Sequence, residues 1–312
     1  MTNNLTPHHT WNILDSSKLT AYMDCPRRYF FEYVLAWRSD APNNHLVFGT
    51  AWHDAMEHLL LNNYSDESVI AGFEKFLLSY REHFPPESDE LYHPKSPANA
   101  LKALGLYCEQ HAGDQYEFET LYTEIAGTVP INADQVLHFR LDSICRSENG
   151  SIFSLEHKTA GNFSRFWTDQ WPMAVAVGTY THVMNCLYNP ADVWGVRING
   201  TAFLKRDIKF LRVPVRKTLS HMKQWLWNVA WWADQIRWQF DLLEKCSESD
   251  QVLTAFPQQP GSCTKYFGCP YHDFCLAWPN PLAHADEPPA GYTIEHWDPS
   301  EREATHRMEL TK

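Results

Sequence analysis

The sequence predicts a mixed α/β fold, which three patterns along its 312 residues indicate. Apolar residues recur at helical spacing through the first third of the chain. Short runs rich in β-branched and aromatic residues, which are typical of strands, replace them in the middle third. A long helical pattern then precedes a stretch rich in proline, glycine and cysteine. We therefore expect a helical region over residues 1–115, a mixed-sheet core flanked by helices over 116–217, and a helix with a cysteine-rich loop over 218–312.

The first region is expected to hold five helices. Asp15 or Ser16 is of the residue type that caps a helix, and Cys25-Pro26 interrupts the helix that follows. Phe48-Gly49-Thr50 opens another helix, in which apolar residues recur at helical spacing. The first helix is expected to end near residue 25, and the other four to run over 27–37, 51–62, 67–83 and 98–109.

The middle region changes to the period of strands. Asn149-Gly150 favours a tight hairpin turn between the second and third of them. The expected elements are strands over 120–131, 136–146 and 151–157, a helix over 174–187, and strands over 193–201, 201–205 and 208–215. Because a helix lies between strands, the sheet should be mixed.

A long helix over 218–245 should follow, with irregular structure after residue 255 and no clear element in the last thirty residues. The helix carries two adjacent stripes of large apolar residues, one of Trp225, Val229, Trp232 and Ile236, the other of Trp227, Trp231 and Trp238. Packing into the core is the simpler interpretation. The alternative is a platform on which nucleic-acid bases stack.

The composition restricts the class of protein. No apolar run approaches the ~18 residues of a membrane span, and no basic-then-apolar leader is visible, so we expect a cytoplasmic protein. The net charge of −12 argues mildly against a surface coated in DNA, although phosphate binding needs only local lysines and arginines. Residues 197–223 hold eight basic residues against Asp207 alone. This segment is either a solvated face or a groove that follows phosphates.

Two acidic residues and a lysine form the most informative pattern. Glu156 and Lys158 lie two apart on a predicted strand, so their side chains project from one face. Asp142, on the preceding strand, can lie beside them across the hairpin. Two carboxylates can chelate Mg²⁺ or Mn²⁺, and the lysine can activate a water or stabilise charge developing on a phosphate. The pattern suits phosphodiester hydrolysis, although Glu-x-Lys also occurs by chance in exposed strands.

Further motifs surround this pattern in a fixed order. They are Ser16-Ser17-Lys18-Leu19-Thr20 with Cys25-Pro26-Arg27, Gly49-Thr50-Ala51-Trp52-His53, Asp142 with Glu156-His157-Lys158-Thr159, and Cys263, Cys269 and Cys275 with aromatic residues between them. Over roughly residues 15–276 the set resembles the RecB-like nucleases of the PD-(D/E)XK superfamily, including the CRISPR-associated and AddB-type members with an iron–sulfur cluster. The resemblance implies a restriction-endonuclease-like fold, with the nuclease core over residues 116–217.

The resemblance also implies roles for individual residues. The metal ligands would be His53, Asp142, Glu156 and the backbone carbonyl of His157, with Lys158 as the catalytic lysine. Candidate DNA contacts are Tyr180, Gln170, Lys205 and Arg206. Glu124 is a further candidate acid on the first core strand, although a lone glutamate is more often an ordinary surface residue. The chain departs from the family pattern at Phe139, where glycine is usual, and at Ala176 and Val177, where a glutamine is expected.

The eight cysteines are expected to be thiols or metal ligands rather than disulfides. Cys263, Cys269 and Cys275 lie six residues apart in a loop that cannot pack well, and with Cys25 they would staple the two ends of the chain together. Four thiolates suit Zn²⁺ or a [4Fe–4S] cluster on ligand count. The absence of a Cys-x₂-Cys pair and the resemblance both favour the cluster. The remaining cysteines, at positions 108, 145, 186 and 246, are expected to be buried.

The sequence as a whole predicts a metal-dependent DNA nuclease, by resemblance an exonuclease acting on single strands or duplex ends. Recombination, repair, phage DNA processing or CRISPR adaptation would suit such an enzyme, alone or within a larger complex. One alternative is a non-catalytic module that binds DNA ends, which the departures from the family pattern leave open. Another is a zinc-stapled protein unrelated to nucleic acid. The presence of Asp142, Glu156 and Lys158 favours catalysis.

Overall fold

The structure, a computed structural model, describes residues 5–265 and 268–302, and the backbone of 306–309. Its α-helices are α1 Ser16–Asp24, α2 Pro26–Tyr29, α3 Asn44–Leu61, α4 Asp66–Arg81, α5 Pro97–Gln110, α6 Asp114–Glu117, α7 Arg165–Asp169, α8 Val175–Leu187, α9 Leu219–Leu243 and α10 His272–Ala277. A π-helical turn, Phe30–Val34, continues α2. Short 3₁₀ helices lie at His9–Asn12, Pro86–Ser88, Trp171–Met173, Pro260–Ser262, Pro281–His284 and Pro299–Arg302.

The strands form a mixed sheet, as predicted. They are β1 Trp37–Ser39, β2 Phe118–Pro130, β3 Val136–Ser147, β4 Ile152–Ala160, β5 Val193–Phe203, β6 Ile208–Val215, β7 Tyr292–Ile294 and β8 His306–Glu309. The order across the main sheet is β6-β5-β4-β3-β2-β8, while β1 and β7 pair separately. β2, β3 and β4 are antiparallel neighbours, whereas β4 and β5 are parallel because α8 carries the chain back between them.

Local chemistry explains where the first helices begin and end. The Asp15 side chain accepts a hydrogen bond from the backbone N–H of Lys18 at 2.8 Å, which caps α1 as predicted. The helix predicted to reach residue 37 ends at Val34 instead. Ala36 adopts a φ of 56°, which turns the chain out of the helix and into β1.

Two predictions about strands were wrong. The runs 193–201 and 201–205 form one strand, β5, and the turn comes later, where the N–H of Leu204 donates to the carbonyl of Asp207 at 2.9 Å. The last thirty residues contain β7 and β8, which pair with β1 and β2. Such short strands are stabilised by pairing with distant segments, which the local sequence pattern does not reveal.

Helices cover both faces of the sheet. The neighbouring residues Ile144 and Cys145 point to opposite faces and belong to different apolar clusters. One face packs against α1, α8 and α9, and α3 packs with α4 and α5 around Phe48, Trp52 and Phe76 on the other side. Among the described residues, every helix is too short or too polar to cross a lipid bilayer.

The tryptophan-rich helix α9 packs along one stripe only. Trp225 is buried and Trp232 partly buried, as expected for core residues. Trp227, Trp231 and Trp238 are 62%, 42% and 52% exposed, so core packing was the wrong interpretation for the second stripe.

Candidate active site

Strand pairing brings Asp142 and Glu156 side by side. β3 and β4 pair with Ile144 opposite Ser154, so Asp142 lies opposite Glu156 two residues further along. The backbone N–H of Asp142 donates to Oε1 of Glu156 at 3.3 Å, and the N–H of His157 donates to Oδ2 of Asp142 at 2.7 Å. The sheet backbone therefore holds both carboxylates in place.

His53 and Lys158 lie around the same two carboxylates. Nδ1 of His53, on α3, is 3.0 Å from Oδ1 of Asp142. Nζ of Lys158 is 3.9 Å from Oδ2 of Asp142 and 3.8 Å from Oε2 of Glu156. The structure thus brings together the four side chains that the sequence analysis selected from three separate elements.

Asp142 and Glu156 differ in their affinity for a proton. Burial raises the pKa of Glu156 to about 8, and the negative charge of Asp142 adds to this effect. Burial acts on Asp142 as well, but the charges of His53 and Lys158 outweigh it and hold the pKa of Asp142 well below its usual range. Oε2 of Glu156 is buried without a hydrogen-bond partner among the described residues. A bound cation could coordinate this oxygen directly, which Nζ of Lys158, at 3.8 Å, does not.

Glu124 is a third carboxylate at this site. The residues on either side of it pair with those on either side of Asp142, so the two acids lie opposite each other on β2 and β3. Glu124 is 8% exposed and has a φ of 49°, an uncommon conformation for a residue other than glycine. The sequence analysis underestimated it, because nothing in the local pattern signals this backbone geometry.

The donor atoms fit a divalent cation. His53, Glu124 and Asp142 each offer one ligand atom, and these atoms lie within 4.8 Å of one another. Two carboxylates and an imidazole suit Mn²⁺ or Mg²⁺. Arg140 pairs with Glu124 at 2.5 Å in the structure, so metal binding would compete with this ion pair.

A buried polar network holds His157 on the opposite face of β4. Nδ2 of Asn199 lies 2.9 Å from Nδ1 of His157 and donates to the Tyr107 hydroxyl at 2.7 Å. Nε of Arg212 donates to Oδ1 of Asn199 at 3.2 Å, and Arg212 also forms a two-pronged ion pair with Asp114. Burial lowers the pKa of His157 to about 3, so the ring is neutral. The network therefore anchors the segment whose carbonyl was predicted to bind metal.

The site opens into a cavity of about 510 Å³. Tyr180, on α8, lines it, and burial together with the nearby Glu156 carboxylate raises the pKa of Tyr180. Three other candidate DNA contacts, Gln170, Lys205 and Arg206, are exposed and do not line this cavity. Lys205 and Arg206 follow β5 at the edge of the sheet where the parallel strand β4 also ends.

Several cations of the basic segment over residues 197–223 contact other groups of the protein. Arg212 is committed to the ion pair with Asp114, and the guanidinium of Arg197 lies 3.9 Å from the ring centroid of Phe153. Lys217 donates to the carbonyl of Pro172. Several of the cations that a phosphate groove would need are therefore already in contact with other groups of this chain.

The four predicted cysteine ligands meet at one place. Cys25, Cys263, Cys269 and Cys275 line a cavity of about 1070 Å³. The Ser262 hydroxyl donates to the carbonyl of Asp24 at 2.6 Å, joining positions 238 residues apart in the sequence. Burial raises the pKa of Cys275 to about 11, and the three other thiols contribute in the same direction.

The prediction for the other cysteines was right for three of four. Cys108, Cys145 and Cys246 are buried, and burial raises the pKa of Cys108 and of Cys145 to about 12. Cys186 is exposed, because it lies on the outer side of α8. It was wrongly assigned to the core.

Comparison with known proteins identifies the family. The crystal structure of SSO0001 is similar over 87% of this chain and 88% of that chain, with 14% sequence identity and a TM-score of 0.38. No curated protein matches the sequence. The family model of the PD-(D/E)XK nuclease superfamily matches residues 16–276, a range that contains the carboxylates, the lysine and the four clustered cysteines. The mixed sheet flanked by helices is a restriction-endonuclease-like fold, and the chain belongs to the PD-(D/E)XK nuclease superfamily.

Proposed function

We propose that this nuclease is a metal-dependent exonuclease acting on DNA. The observation that carries the proposal is the position of Nζ of Lys158, 3.9 Å from Asp142 and 3.8 Å from Glu156, in the wall of a cavity that His53 and Glu124 also line. Metal-assisted hydrolysis needs acids, a lysine and access for a phosphodiester, and their occurrence in one place supports the proposal.

Each residue has a distinct role in this proposal. A divalent cation held by His53, Glu124, Asp142 and Glu156, together with the carbonyl of His157, would polarise the phosphate and lower the pKa of a water molecule. Asp142 is anionic at neutral pH and so binds without first losing a proton. Glu156 gives up its proton on binding, because cationic charge then stabilises its carboxylate. Lys158 orients the attacking water or stabilises the charge that develops on the phosphate.

The size of the cavity supports attack at strand ends. At about 510 Å³ it lies in the range of sites for single small molecules. A strand end or a short segment of single strand can occupy such a space. In the cell, such an enzyme would act in DNA recombination, repair or phage DNA processing, alone or within a larger complex.

The test uses linear and circular single-stranded DNA of one sequence with Mn²⁺, Mg²⁺ or EDTA. We expect the linear form to be degraded with either cation and the circle to persist. Asp142→Asn and Lys158→Met should each lower the rate by about 100-fold or more, as expected when a group that stabilises the transition state is removed. Cleavage of the circle would contradict exonuclease action. Binding without cleavage under any metal would instead indicate a DNA-end-binding module.

We further infer that the cysteine cavity holds a [4Fe–4S] cluster. Zn–S bonds of 2.3 Å place the sulfurs of a zinc site about 3.8 Å apart. Among the described residues, ligand atoms within 4.8 Å of one another occur at His53, Glu124 and Asp142, and the cysteines form no such group. The wider spacing of the thiols and the volume of their cavity, about 1070 Å³, support a larger cofactor than one zinc ion.

A further inference from the structure

Lys95 is a buried cation without an acidic partner. The residue is 6% exposed, and its Nζ donates to Oγ1 of Thr159 at 3.0 Å and lies 5.8 Å from the ring centroid of Phe48. Among the described residues, no carboxylate pairs with it or influences its charge, and burial lowers its pKa to about 8. An ammonium group removed from water without a counter-ion destabilises a fold. A lysine in this position therefore suggests that an anion binds nearby.

The fold fixes Lys95 behind the wall of the active-site cavity. Nδ2 of Asn44, the first residue of α3, lies 3.4 Å from the carbonyl of Lys95. α3 then runs on to His53 at the metal site. Thr159, which Lys95 contacts, directly follows Lys158 and lines the cavity. Lys95 thus lies between the start of α3 and the end of β4.

Thr159 can transmit the positive charge of Lys95 to the cavity. Its Oγ1 accepts the hydrogen bond from Lys95, and its own O–H has no acceptor among the described residues. That proton is therefore available to a group bound in the cavity that Thr159 lines. His45, on the same wall, has a pKa lowered by burial and by the charge of Lys95, so the field of Lys95 reaches the wall.

We propose that Lys95 and Thr159 form a binding site for a DNA phosphate that neighbours the scissile one. The Thr159 hydroxyl would donate to a non-bridging oxygen, and Lys95 would strengthen that bond and supply the compensating charge. Phe48, which lies near Lys95, precedes His53 by five residues, about 7.5 Å along the axis of α3. Lys95 therefore lies more than one turn of α3 away from the candidate ligand His53. The inference rests on the proposed nuclease function and extends it from one phosphate to two.

Binding is measured by fluorescence anisotropy with a single-stranded oligonucleotide in EDTA, which withholds the cation needed for cleavage, over a series of salt concentrations. Lys95→Met removes the charge and Thr159→Val removes the hydroxyl, while Thr159→Ser restores it. We expect about 10-fold weaker binding for Lys95→Met and Thr159→Val, and recovery with Thr159→Ser. For Lys95→Met, the slope of log affinity against log salt should fall by about 0.7, the loss of one phosphate contact on a single strand. Lys102→Met, an exposed change on α5, is the matched control and should have no effect.

A second measurement separates phosphate binding from a structural role. Binding is measured for a series of oligonucleotides that each carry one neutral methylphosphonate linkage. The linkage lies at a different position from the strand end in each. For wild type, the neutral linkage next to the scissile phosphate should weaken binding about 10-fold. In Lys95→Met, which has already lost this contact, the same linkage should not weaken binding further. Unchanged affinity and salt slope in Lys95→Met, with wild type binding normally, would overturn the phosphate site and leave the nuclease proposal intact. Failure of wild type to bind or cut DNA at all would overturn both.

Discussion

At the scale of single residues, two carboxyl groups of similar chemistry differ because of their surroundings. Asp142 lies beside His53 and Lys158, and these charges favour its anion. Glu156 is fully buried beside the negative charge of Asp142, and these two effects raise its pKa even though the Ser154 hydroxyl donates to it at 2.5 Å. Two acids with separated pKa values can serve one site in different ways. In the proposed mechanism Asp142 would bind a cation without losing a proton, whereas Glu156 would have to lose one first.

This difference predicts how the metal-free protein responds to pH. The folded-state pKa of Glu156, about 8, lies above the ordinary value near 4.3, so the folded protein holds a proton that the unfolded chain releases. Stability should therefore fall as pH rises towards 8. His157, with its pKa lowered to about 3, has the opposite effect, but only below its unfolded value near 6.5. In EDTA, the thermal midpoint of wild type should fall between pH 6.5 and 8.

The Glu156→Gln variant isolates the residue responsible. Its amide does not titrate, so its thermal midpoint should change less over this pH window than that of wild type. Glu119→Gln, at a side chain that is 63% exposed, should follow the wild-type curve. Parallel curves for wild type and Glu156→Gln would show that Glu156 is already ionised when the metal is absent.

Replacement of Gly49 by alanine should raise stability and lower activity. It lies inside α3 and lines the active-site cavity, and a Cβ built on it meets no atom within 4 Å. Glycine within a helix costs up to about 1 kcal/mol relative to alanine, so Gly49→Ala should stabilise the fold by up to that amount. The added methyl group would narrow the cavity and lower the cleavage rate. Denaturant unfolding and a nuclease assay measure the two effects, and Gly105→Ala, in α5 and likewise open, is the control.

At the scale of elements, the sequence predicted the hairpin of β3 and β4 well because its signals are local. The alternation of strand residues and the Asn149-Gly150 turn together fix the register that places Asp142 beside Glu156. The contribution of Glu124 depends on a left-handed backbone conformation within β2, which no residue pattern signals. The short strands β7 and β8 likewise depend on partners far away in the chain. Non-local geometry therefore accounts for what the sequence analysis missed.

The buried polar network around His157 predicts that Asp114 on α6 and Arg212 on β6 contribute to stability as a pair. The side chains of Asp114 and Arg212 are 4% and 21% exposed, so Asp114→Ala leaves a largely buried cation without its acidic partner. Breaking such a pair costs about 3 kcal/mol or more, while replacing both partners by apolar residues costs less. Urea unfolding of Asp114→Ala, Arg212→Met and the double variant measures this. The double variant should be more stable than Asp114→Ala. Strictly additive losses would contradict the coupling.

At the scale of the whole molecule, the two ends of the chain are held together by more than cysteines. The Arg27 guanidinium donates to the carbonyls of Phe256 and Leu253 at 2.9 and 3.0 Å. The Tyr271 hydroxyl donates to the carbonyl of Trp37 at 2.6 Å. Through these bonds the cysteine loop packs against α2 and β1, next to the helices that lead to the active site. A cofactor at this junction would stabilise contacts that the protein already makes.

This arrangement predicts that Cys25 matters as much as the cysteines of the loop. Protein purified without oxygen should be brown and contain about four irons per chain if the cofactor is a [4Fe–4S] cluster. Cys25→Ser and Cys269→Ser should lose iron to a similar extent. They should also lose similar amounts of stability, about 3 kcal/mol or more, because a cofactor that binds only the folded chain stabilises it by its binding free energy. Iron analysis and thermal unfolding measure both effects.

Cys186→Ser is the matched control, since Cys186 is exposed and does not line the cysteine cavity. It should retain its iron and its thermal midpoint. Colourless wild-type protein with one zinc ion per chain would show that the cofactor is zinc and not the cluster. The proposed link between the two ends of the chain would still stand. A Cys25→Ser variant with full iron content and wild-type stability would contradict the link itself, because the cofactor would then belong to the loop alone. If the link is correct, oxidative loss of the cofactor should lower the thermal midpoint of wild type to that of Cys25→Ser, since both would retain the same protein contacts between the ends of the chain.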